Sequence, residues 1–181
     1  VFLLYHAVRG SIAALRIKEV NMLLKQQCYI DGQWLGTGEI AVSNPATGEI
    51  IAHVPNFGAA EAEQAVAAAA AALPAWRDKT AKERSKILRK WFDLIMQHQD
   101  ELAEILTREQ GKPLAEARGE IAYGASYIEW YAEEAKRIYG ETIPAAGENQ
   151  KSIVQKQAVG VCAAITPWNF PNAMITRKAA P

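Results

Sequence analysis

An apolar run that leads directly into a proline-bracketed turn constrains the fold of this chain most strongly. Residues 159–165 read Val-Gly-Val-Cys-Ala-Ala-Ile, the length and composition of a strand buried in a parallel sheet. The turn Thr-Pro-Trp-Asn-Phe follows, and Pro171 can open a helix because its missing N–H would have no partner in the first turn. A strand, a rigid turn and a helix start are typical of α/β proteins, which bind ligands at the carboxyl ends of such strands.

The composition excludes several classes of protein. Half of the 181 residues are hydrophobic and 22% are charged, which is ordinary for a globular domain. Lys plus Arg and Asp plus Glu both number 20, so neither nucleic acid nor an anionic membrane is predicted as a partner. No apolar run is long enough to span a bilayer. With only Cys28 and Cys162, no disulfide framework is expected, and we expect a cytoplasmic location.

Two antiparallel strand pairs are predicted in the first third of the chain. Residues 29–35 fit two short strands around the turn Asp31-Gly32. Residues 40–43 and 49–54 alternate on either side of an Asn-Pro-Ala-Thr-Gly turn.

Two helices are predicted next. The first is rich in alanine, runs from residue 59 to 73 and ends at Pro74. The second begins at Thr80, whose spacing from Glu83 is that of a capping box. An apolar stripe at helical spacing then continues to Gly111, which can close the helix in a left-handed conformation.

A third helix is predicted from Pro113 to about Tyr139, with Glu133 and Arg137 as a weak i, i+4 ion pair. A polar loop at residues 143–150 follows it. The alternation at residues 152–157 then predicts a half-exposed strand before the apolar run.

Several of these motifs resemble the NAD(P)-dependent aldehyde dehydrogenases in sequence and in order. They are Asn-Pro-Ala-Thr-Gly-Glu at 44–49, Leu-Pro-Ala-Trp-Arg at 73–77, Glu-Gln-Gly-Lys-Pro-Leu at 109–114, Tyr-Ile-Glu-Trp-Tyr-Ala-Glu-Glu at 127–134 and Pro-Trp-Asn-Phe-Pro at 167–171. Met-Ile-Thr-Arg-Lys at 174–178 is similar to the succinate-semialdehyde dehydrogenase branch. The resemblance covers residues 29–181.

The resemblance implies an α/β fold that is the truncated N-terminal part of the aldehyde dehydrogenase fold. Residues 22–150 would form the strand layer and helices of the cofactor-binding domain, and residues 151–158 a strand used in oligomerisation. Residues 159–181 would form the first strand of a Rossmann-like cofactor sheet and the start of the next helix. Residues 1–21 do not match the family.

This leader at residues 1–21 has two interpretations. Its Arg-containing, acid-poor composition allows an organellar transit peptide. The preferred interpretation is that Met22 is the natural start and that the leader is upstream sequence translated by accident. N-terminal sequencing of the native protein distinguishes the two.

Asn169 is the strongest candidate for a catalytic residue. The resemblance implies that its carboxamide donates to the oxyanion that forms when a cysteine thiolate attacks the aldehyde. The alternative from residue type alone is an asparagine that caps the following helix.

The same resemblance places Thr166, Pro167, Trp168 and Asn169 at the cofactor, which would be NAD or NADP. Backbone carbonyls there could accept hydrogen bonds from a ribose, and Trp168 would add an apolar surface. A lone tryptophan is otherwise usually part of the core. The chain contains no Gly-x-Gly-x-x-Gly sequence, a turn that this family does not use.

Arg177 is the candidate for substrate binding, because an arginine at this point of the succinate-semialdehyde branch contacts the remote carboxylate. A guanidinium suits this task since two parallel N–H groups match a carboxylate. Lys178 is interpreted as a surface charge. The chain departs from the family pattern at Ala158, Asn172 and Ala180, where relatives often carry proline, a small apolar residue and glycine.

No other residue is expected to carry chemistry. Cys162 lies in the apolar run, where burial makes a thiol inert, and Cys28 is interpreted as structural. Glu109 is not at the position of the family's general base. The three histidines lack metal-ligand spacing, so no metal site is predicted.

The complete enzyme would be a homo-oligomer that oxidises succinate semialdehyde to succinate through a cysteine thiohemiacetal. The family's cysteine and general-base glutamate would follow Pro181, so residues 1–181 alone are expected to be inactive. The alternatives are another aldehyde dehydrogenase of the same family, a truncated remnant without activity, and a fragment that docks on intact subunits.

Overall fold

The computed structural model describes residues 23–181, so the predictions for residues 1–21 and for Met22 lie outside the described residues. Six strands and five α-helices occur in this part of the chain. The strands are β1 (Cys28–Ile30), β2 (Gln33–Leu35), β3 (Ile40–Ser43), β4 (Ile50–Val54), β5 (Glu141–Ile143) and β6 (Ser152–Val154). The helices are α1 (Ala59–Arg77), α2 (Ala81–Gln97), α3 (Gln99–Gln110), α4 (Leu114–Glu134) and α5 (Pro171–Ala179).

The strands form three separate antiparallel pairs, β1–β2, β3–β4 and β5–β6. Asp31 and Gly32 join the first pair with φ of 50° and 78°, which matches the right-handed twist of a tight hairpin. Gly48 has a φ of 76° in the turn between β3 and β4. Both predicted hairpins are therefore confirmed. The pairing of β5 with β6 was not predicted, because β5 was placed outside any strand.

Pro74 does not end the first helix, and that prediction is wrong. Helix α1 continues to Arg77. Proline removes only its own N–H, and the Pro74 carbonyl still accepts from the Asp78 N–H at 3.0 Å. The helix therefore continues for three residues after the proline.

The predicted second helix is two helices, α2 and α3, which meet at His98. Thr80 and Glu83 form the predicted capping box, with the Glu83 N–H donating to Thr80 Oγ1 at 3.3 Å and the Thr80 N–H to Glu83 Oε2 at 2.8 Å. The backbone of His98 leaves the helical region at φ −110° and ψ 19°. Gly111, with a φ of 81°, closes α3 as predicted.

Helix α4 ends earlier than predicted, because residues 135–137 tighten into a 3₁₀ turn. The predicted pair of Glu133 with Arg137 is wrong for the same reason, since the 3₁₀ turn brings residues three apart together. Arg137 pairs with Glu134 at 3.1 Å. Glu133 pairs with Lys136 and with Arg89 of α2, both at 2.9 Å.

The core lies where α2, α3 and α5 pack on α4. Ile121 and Ile128 of α4 are its largest fully buried side chains. The other buried residues of this cluster come from α2, α3 and α4, from residue 23 and from Ala180 directly after α5: Leu23, Leu88, Ile95, Leu102, Ala103, Ile105, Leu106, Ala117, Ala125, Ala132 and Ala180. Helix α5 is thereby fixed against the central helix, which positions the turn that precedes it.

The apolar run at residues 159–165 is not a strand in the described chain, contrary to the prediction. Val159 is 94% exposed and Ile165 is fully exposed. A parallel strand requires a hydrogen-bonded neighbour, and no described strand pairs with this run. Cys162 is correspondingly exposed rather than buried.

Candidate functional site

The site is built around the start of α5, where every early backbone N–H has a partner. Pro171 occupies the first position of the helix, as predicted, and has no N–H to satisfy. The N–H groups of Asn172 and Ala173 donate to Glu120 Oε1 at 2.9 and 3.2 Å. The Met174 N–H donates to the Phe170 carbonyl at 2.9 Å. A carboxylate from α4 therefore caps α5.

Lys112 joins this cap to the turn before the helix. Its Nζ forms an ion pair with Glu120 Oε2, and the side chains of Lys112 and Glu120 are only 9% and 1% exposed. The same Nζ donates to the Asn169 carbonyl at 3.1 Å and lies 3.8 Å from the centroid of the Phe170 ring. The loop between α3 and α4 is thus connected to residues 169 and 170.

Asn169 is exposed, and its carboxamide makes no hydrogen bond within residues 23–181. The alternative that Asn169 caps α5 is therefore wrong, since Glu120 has taken that role. The carboxamide N–H is left free to donate to a ligand.

Thr166 is half-buried, whereas Pro167 and Trp168 are exposed. Trp168 is 79% exposed, so the alternative of a core tryptophan is wrong for this chain. No hydrogen bond within the described chain uses the carbonyls of residues 163–168. These carbonyls and the exposed indole of Trp168 are therefore free to contact a ligand.

Arg177 lies on the exposed side of α5 and forms no ion pair with any described residue. Its guanidinium carbon is 5.7 Å from the centroid of the Tyr127 ring of α4. The Tyr127 hydroxyl shares a hydrogen bond with the Tyr123 hydroxyl, and this bond together with burial raises the pKa of Tyr127. The arginine is therefore supported by a neutral aromatic face and keeps its N–H groups available.

Glu109 lines a cavity of about 120 Å³ bordered by apolar side chains that include Trp91, Ile121 and Ile175. Burial raises the pKa of the Glu109 carboxyl. Within residues 23–181 no group of three or more His, Cys, Asp or Glu is arranged to hold a metal ion. No helix in that range is long and apolar enough to cross a membrane.

Residues 34–181 match the model of the aldehyde dehydrogenase family, which is more than half of the chain. The chain belongs to the aldehyde dehydrogenase family. The predicted family and the α/β class are both confirmed. This family uses NAD(P).

Three curated relatives each share more than half of the aligned residues with the chain. It is 62% identical to a glutarate-semialdehyde dehydrogenase of Pseudomonas aeruginosa and 61% identical to the succinate-semialdehyde dehydrogenase (NADP+) of Escherichia coli, each over 162 residues. It is 57% identical to a 3-sulfolactaldehyde dehydrogenase of Pseudomonas putida. The alignments cover 88% of the chain, 34% of the first two relatives and 33% of the third. The chain therefore spans about a third of their length.

Solved structures of the family share the fold. An NADP-dependent enzyme of Escherichia coli superposes with a TM-score of 0.83 at 60% identity, covering 86% of the chain and 33% of the enzyme. A betaine aldehyde dehydrogenase of Staphylococcus aureus, solved with NAD+, has a TM-score of 0.84 at 31% identity, covering 93% and 34% of the two chains.

Sequence reasoning missed Lys112 and Glu120, although one signal was present. Glu120 lies between Ala117 and Gly124 on the buried face of α4. A carboxylate on a buried stripe requires a partner, and this requirement could have directed attention to a nearby cation.

Proposed function

We propose that the chain is part of an enzyme that oxidises succinate semialdehyde to succinate with NAD(P)+. The observation that carries this proposal is the free carboxamide of Asn169, next to a helix whose own N–H groups already have partners. An amide in this position can donate to a reacting oxygen without breaking any bond that holds the fold.

Asn169 would stabilise the oxygen of the aldehyde as it gains negative charge. A fixed neutral donor is suited to this task, because it stabilises the charge without having to lose a proton. The attacking cysteine and the general base are expected from the rest of the enzyme. The role of this chain is therefore to orient the aldehyde oxygen.

Thr166, Pro167, Trp168 and Asn169 would hold one side of NAD(P)+, which when bound accepts the hydride. The support is the exposure of Pro167, Trp168 and Asn169 and the unused carbonyls of residues 163–168. A ribose hydroxyl can donate to such a carbonyl, and the exposed indole of Trp168 can cover an apolar part of the cofactor.

Arg177 would bind the remote carboxylate of the substrate. From Pro171 to Arg177 the helix rises about 9 Å, and side chains on a helix lean toward its N-terminus, so the guanidinium can approach the end where Asn169 lies. Three relatives are named for glutarate semialdehyde, succinate semialdehyde and 3-sulfolactaldehyde, which all combine an aldehyde with a remote acid group. This shared chemistry supports a cation in the substrate site.

The test uses a hybrid subunit in which residues 23–181 replace the matching segment of the Escherichia coli relative. Formation of reduced cofactor is followed with succinate semialdehyde and with butanal, an uncharged aldehyde of equal carbon number. The 181-residue chain alone serves as the negative control, because it lacks the expected nucleophile. A hybrid that folds and assembles but oxidises neither aldehyde would contradict the proposed function.

In the hybrid, Arg177→Met should raise the KM for succinate semialdehyde by about 10- to 100-fold, as expected for a lost charge-assisted hydrogen bond. The KM for butanal should change little. Lys178→Met is the matched control, since it removes an adjacent exposed cation. Equal changes in the two KM values would refute the role of Arg177.

Asn169→Ala in the hybrid should lower kcat by about 100- to 1,000-fold, the usual cost of one oxyanion donor. The KM for succinate semialdehyde should change far less. Asn56→Ala, which truncates an exposed asparagine before α1, is the control. Retention of full kcat after Asn169→Ala would exclude Asn169 as the donor.

Glutarate semialdehyde is the second candidate substrate, because two relatives named for it are each 62% identical to the chain. One methylene separates the two substrates, and enzymes discriminate such pairs by about 10- to 200-fold. Comparison of kcat/KM for the two semialdehydes in the hybrid decides between them.

We also propose that the complete enzyme is a homo-oligomer that uses residues 151–158 as a contact. Ile153 and Val154 of β6 are 70% and 41% exposed, and within residues 23–181 the strand β6 pairs only with β5. An edge strand with apolar side chains is suited to pair with another subunit. Light scattering of the hybrid with Ile153→Lys should show a smaller assembly than the parent hybrid.

A further inference from the structure

The geometry points to two positioning residues, Lys112 and Glu120, whose buried ion pair holds the Asn169 turn in a fixed place. This inference rests on the proposed function for its catalytic meaning. Neither residue touches the expected substrate, so both would act through Asn169.

Glu120 uses both oxygens of its carboxylate. Oε1 accepts the N–H groups of Asn172 and Ala173, and Oε2 pairs with the Lys112 ammonium. The carboxylate is 1% exposed, so its position is set by the packing around α4. The start of α5 is therefore held at a fixed point on α4.

Lys112 extends the same link backward along the chain. An ammonium group has three donors. Here it meets the Glu120 carboxylate, the Asn169 carbonyl at 3.1 Å and the face of the Phe170 ring at 3.8 Å. Because the Asn169 carbonyl and the neighbouring Phe170 ring are both held, the backbone of Asn169 is fixed. The main remaining freedom of Asn169 is rotation about its own side-chain bonds.

Residues 159–168, which precede Asn169, make no hydrogen bond or ion pair with any other part of residues 23–181. Ile165 is fully exposed and Trp168 is 79% exposed. The contacts of Lys112 with Asn169 and Phe170 are therefore the first ones, in chain order, that attach this segment to the packed helices.

Stability alone does not account for the pair. Replacing a buried ion pair by neutral side chains of similar size is often neutral or stabilising, because burying two charges costs most of what their attraction contributes. An arrangement that also contacts the carbonyl of Asn169 is better explained by positioning.

The double variant Lys112→Met/Glu120→Gln removes both charges and keeps the cap, because a glutamine oxygen can still accept from Asn172 and Ala173. The control is Arg118→Met/Asp100→Asn, which removes an exposed ion pair of 2.7 Å that does not touch α5. Both are made in the 181-residue chain, and the ¹H–¹⁵N heteronuclear NOE of each backbone amide is measured.

In the parent chain and the control, the NOE values of Asn169 and Phe170 should be close to those of α5. In the double variant they should fall toward those of residues 160–166, while residues 172–176 keep helical values. Unchanged values at Asn169 would overturn the inference. Phe170→Leu keeps the ion pair and removes the contact between Lys112 and the aromatic ring. A decrease of the Asn169 NOE in this variant would support the link even when the double variant does not fold.

Kinetics in the hybrid subunit test whether the pair acts through Asn169. The double variant should lower kcat by about 10- to 100-fold, the cost of a misplaced catalytic group, with a much smaller change in KM. In an Asn169→Ala background the same substitutions should cause no further loss. An equal loss in both backgrounds would overturn the inference. Full activity of Asn169→Ala alone would instead contradict the proposed function, and the NOE comparison would still decide whether the pair holds the turn.

Discussion

Gly124 shows how one residue sets the distance between two helices. A Cβ atom at this position of α4 would overlap Asn172 Oδ1, and it would lie 3.0 Å from Thr176 Oγ1 and 3.2 Å from the Ala173 Cα. Asn172 is also one of the departures from the family pattern, and its buried Oδ1 has no hydrogen-bond partner among the described residues. The absence of a side chain at Gly124 therefore provides the space that Asn172 occupies.

Gly124→Ala should destabilise the 181-residue chain by about 1–3 kcal/mol, because the added methyl group overpacks the contact between α4 and α5. Gly119→Ala on the same helix is the matched variant, since no atom lies within 4 Å of its added Cβ. It should stabilise the chain by about 0.5–1 kcal/mol through helix propensity. Urea denaturation gives both free energies of unfolding, and a change of the same sign for both variants would contradict this account.

Helices α1 and α2 are secured at their starts by local hydrogen bonds. The Glu61 carboxylate of α1 accepts from the Gly58 N–H at 2.9 Å, and the Thr80 and Glu83 pair does the same for α2. Helix α1 has no buried residue, so its alanine-rich sequence and its cap stabilise it more than packing does. Helix α2 combines its cap with burial of Leu88 and Ile95.

The cap of α2 should make stability depend on pH. Hydrogen bonds from the Thr80 side chain and backbone lower the pKa of Glu83 below its usual 4.5. A lowered pKa in the folded state contributes stability above the unfolded pKa, and this contribution is lost as the pH falls through the folded value. Glu83→Gln keeps the acceptor but cannot titrate.

Urea midpoints of the parent and Glu83→Gln at pH 7, 4 and 3 measure this effect. The advantage of the parent over the variant should shrink as the pH falls. Glu63→Gln, at a residue of α1 without a side-chain hydrogen bond, is the control. A parent-to-variant difference that stays constant from pH 7 to 3 would rule out the capping explanation.

The molecule as a whole combines a packed helical core with an exposed apolar segment. The side chains of Ile121 and Ile128 are fully buried, whereas Val159 and Ile165 are 94% and 100% exposed. The chain spans about a third of the length of its relatives. The prediction that residues 159–165 form a buried strand is wrong for the described chain, and we propose that it holds when the rest of the enzyme is present.

Ile165→Thr tests this proposal by comparing two molecules. In the 181-residue chain the substitution should change the free energy of unfolding by less than about 0.5 kcal/mol, because the side chain is exposed. In the hybrid subunit it should lower the stability by about 1–3 kcal/mol, because burial of a polar hydroxyl replaces burial of an ethyl group. Thermal unfolding measures the stability of the 181-residue chain and of the hybrid subunit. The control is Ile128→Val, at a residue buried in α4, which should lower the stability of both molecules. An effect of Ile165→Thr that is negligible in both molecules would contradict the buried strand.

The sequence by itself determined the features that depend on neighbouring residues. Asp31-Gly32 forms its hairpin, Thr80 and Glu83 form their capping box, Gly111 closes α3 and Pro171 opens α5. The bonds involved join residues only a few positions apart, so residue type and spacing are sufficient to predict them. The family motifs were recognised for the same reason, because each is a short contiguous string.

Only the tertiary structure decided which groups remain free at the candidate site. The contact of Glu120 with Asn172 spans 52 residues and that of Lys112 with Asn169 spans 57. No local pattern predicts such pairs, because they depend on how α4 and α5 pack. The same long-range packing leaves the Asn169 carboxamide free and gives the cap to Glu120, and the lack of a neighbouring strand leaves residues 159–165 exposed. Local hydrogen bonds are specified by adjacent residues, whereas burial and long-range partners are specified only once the elements pack together.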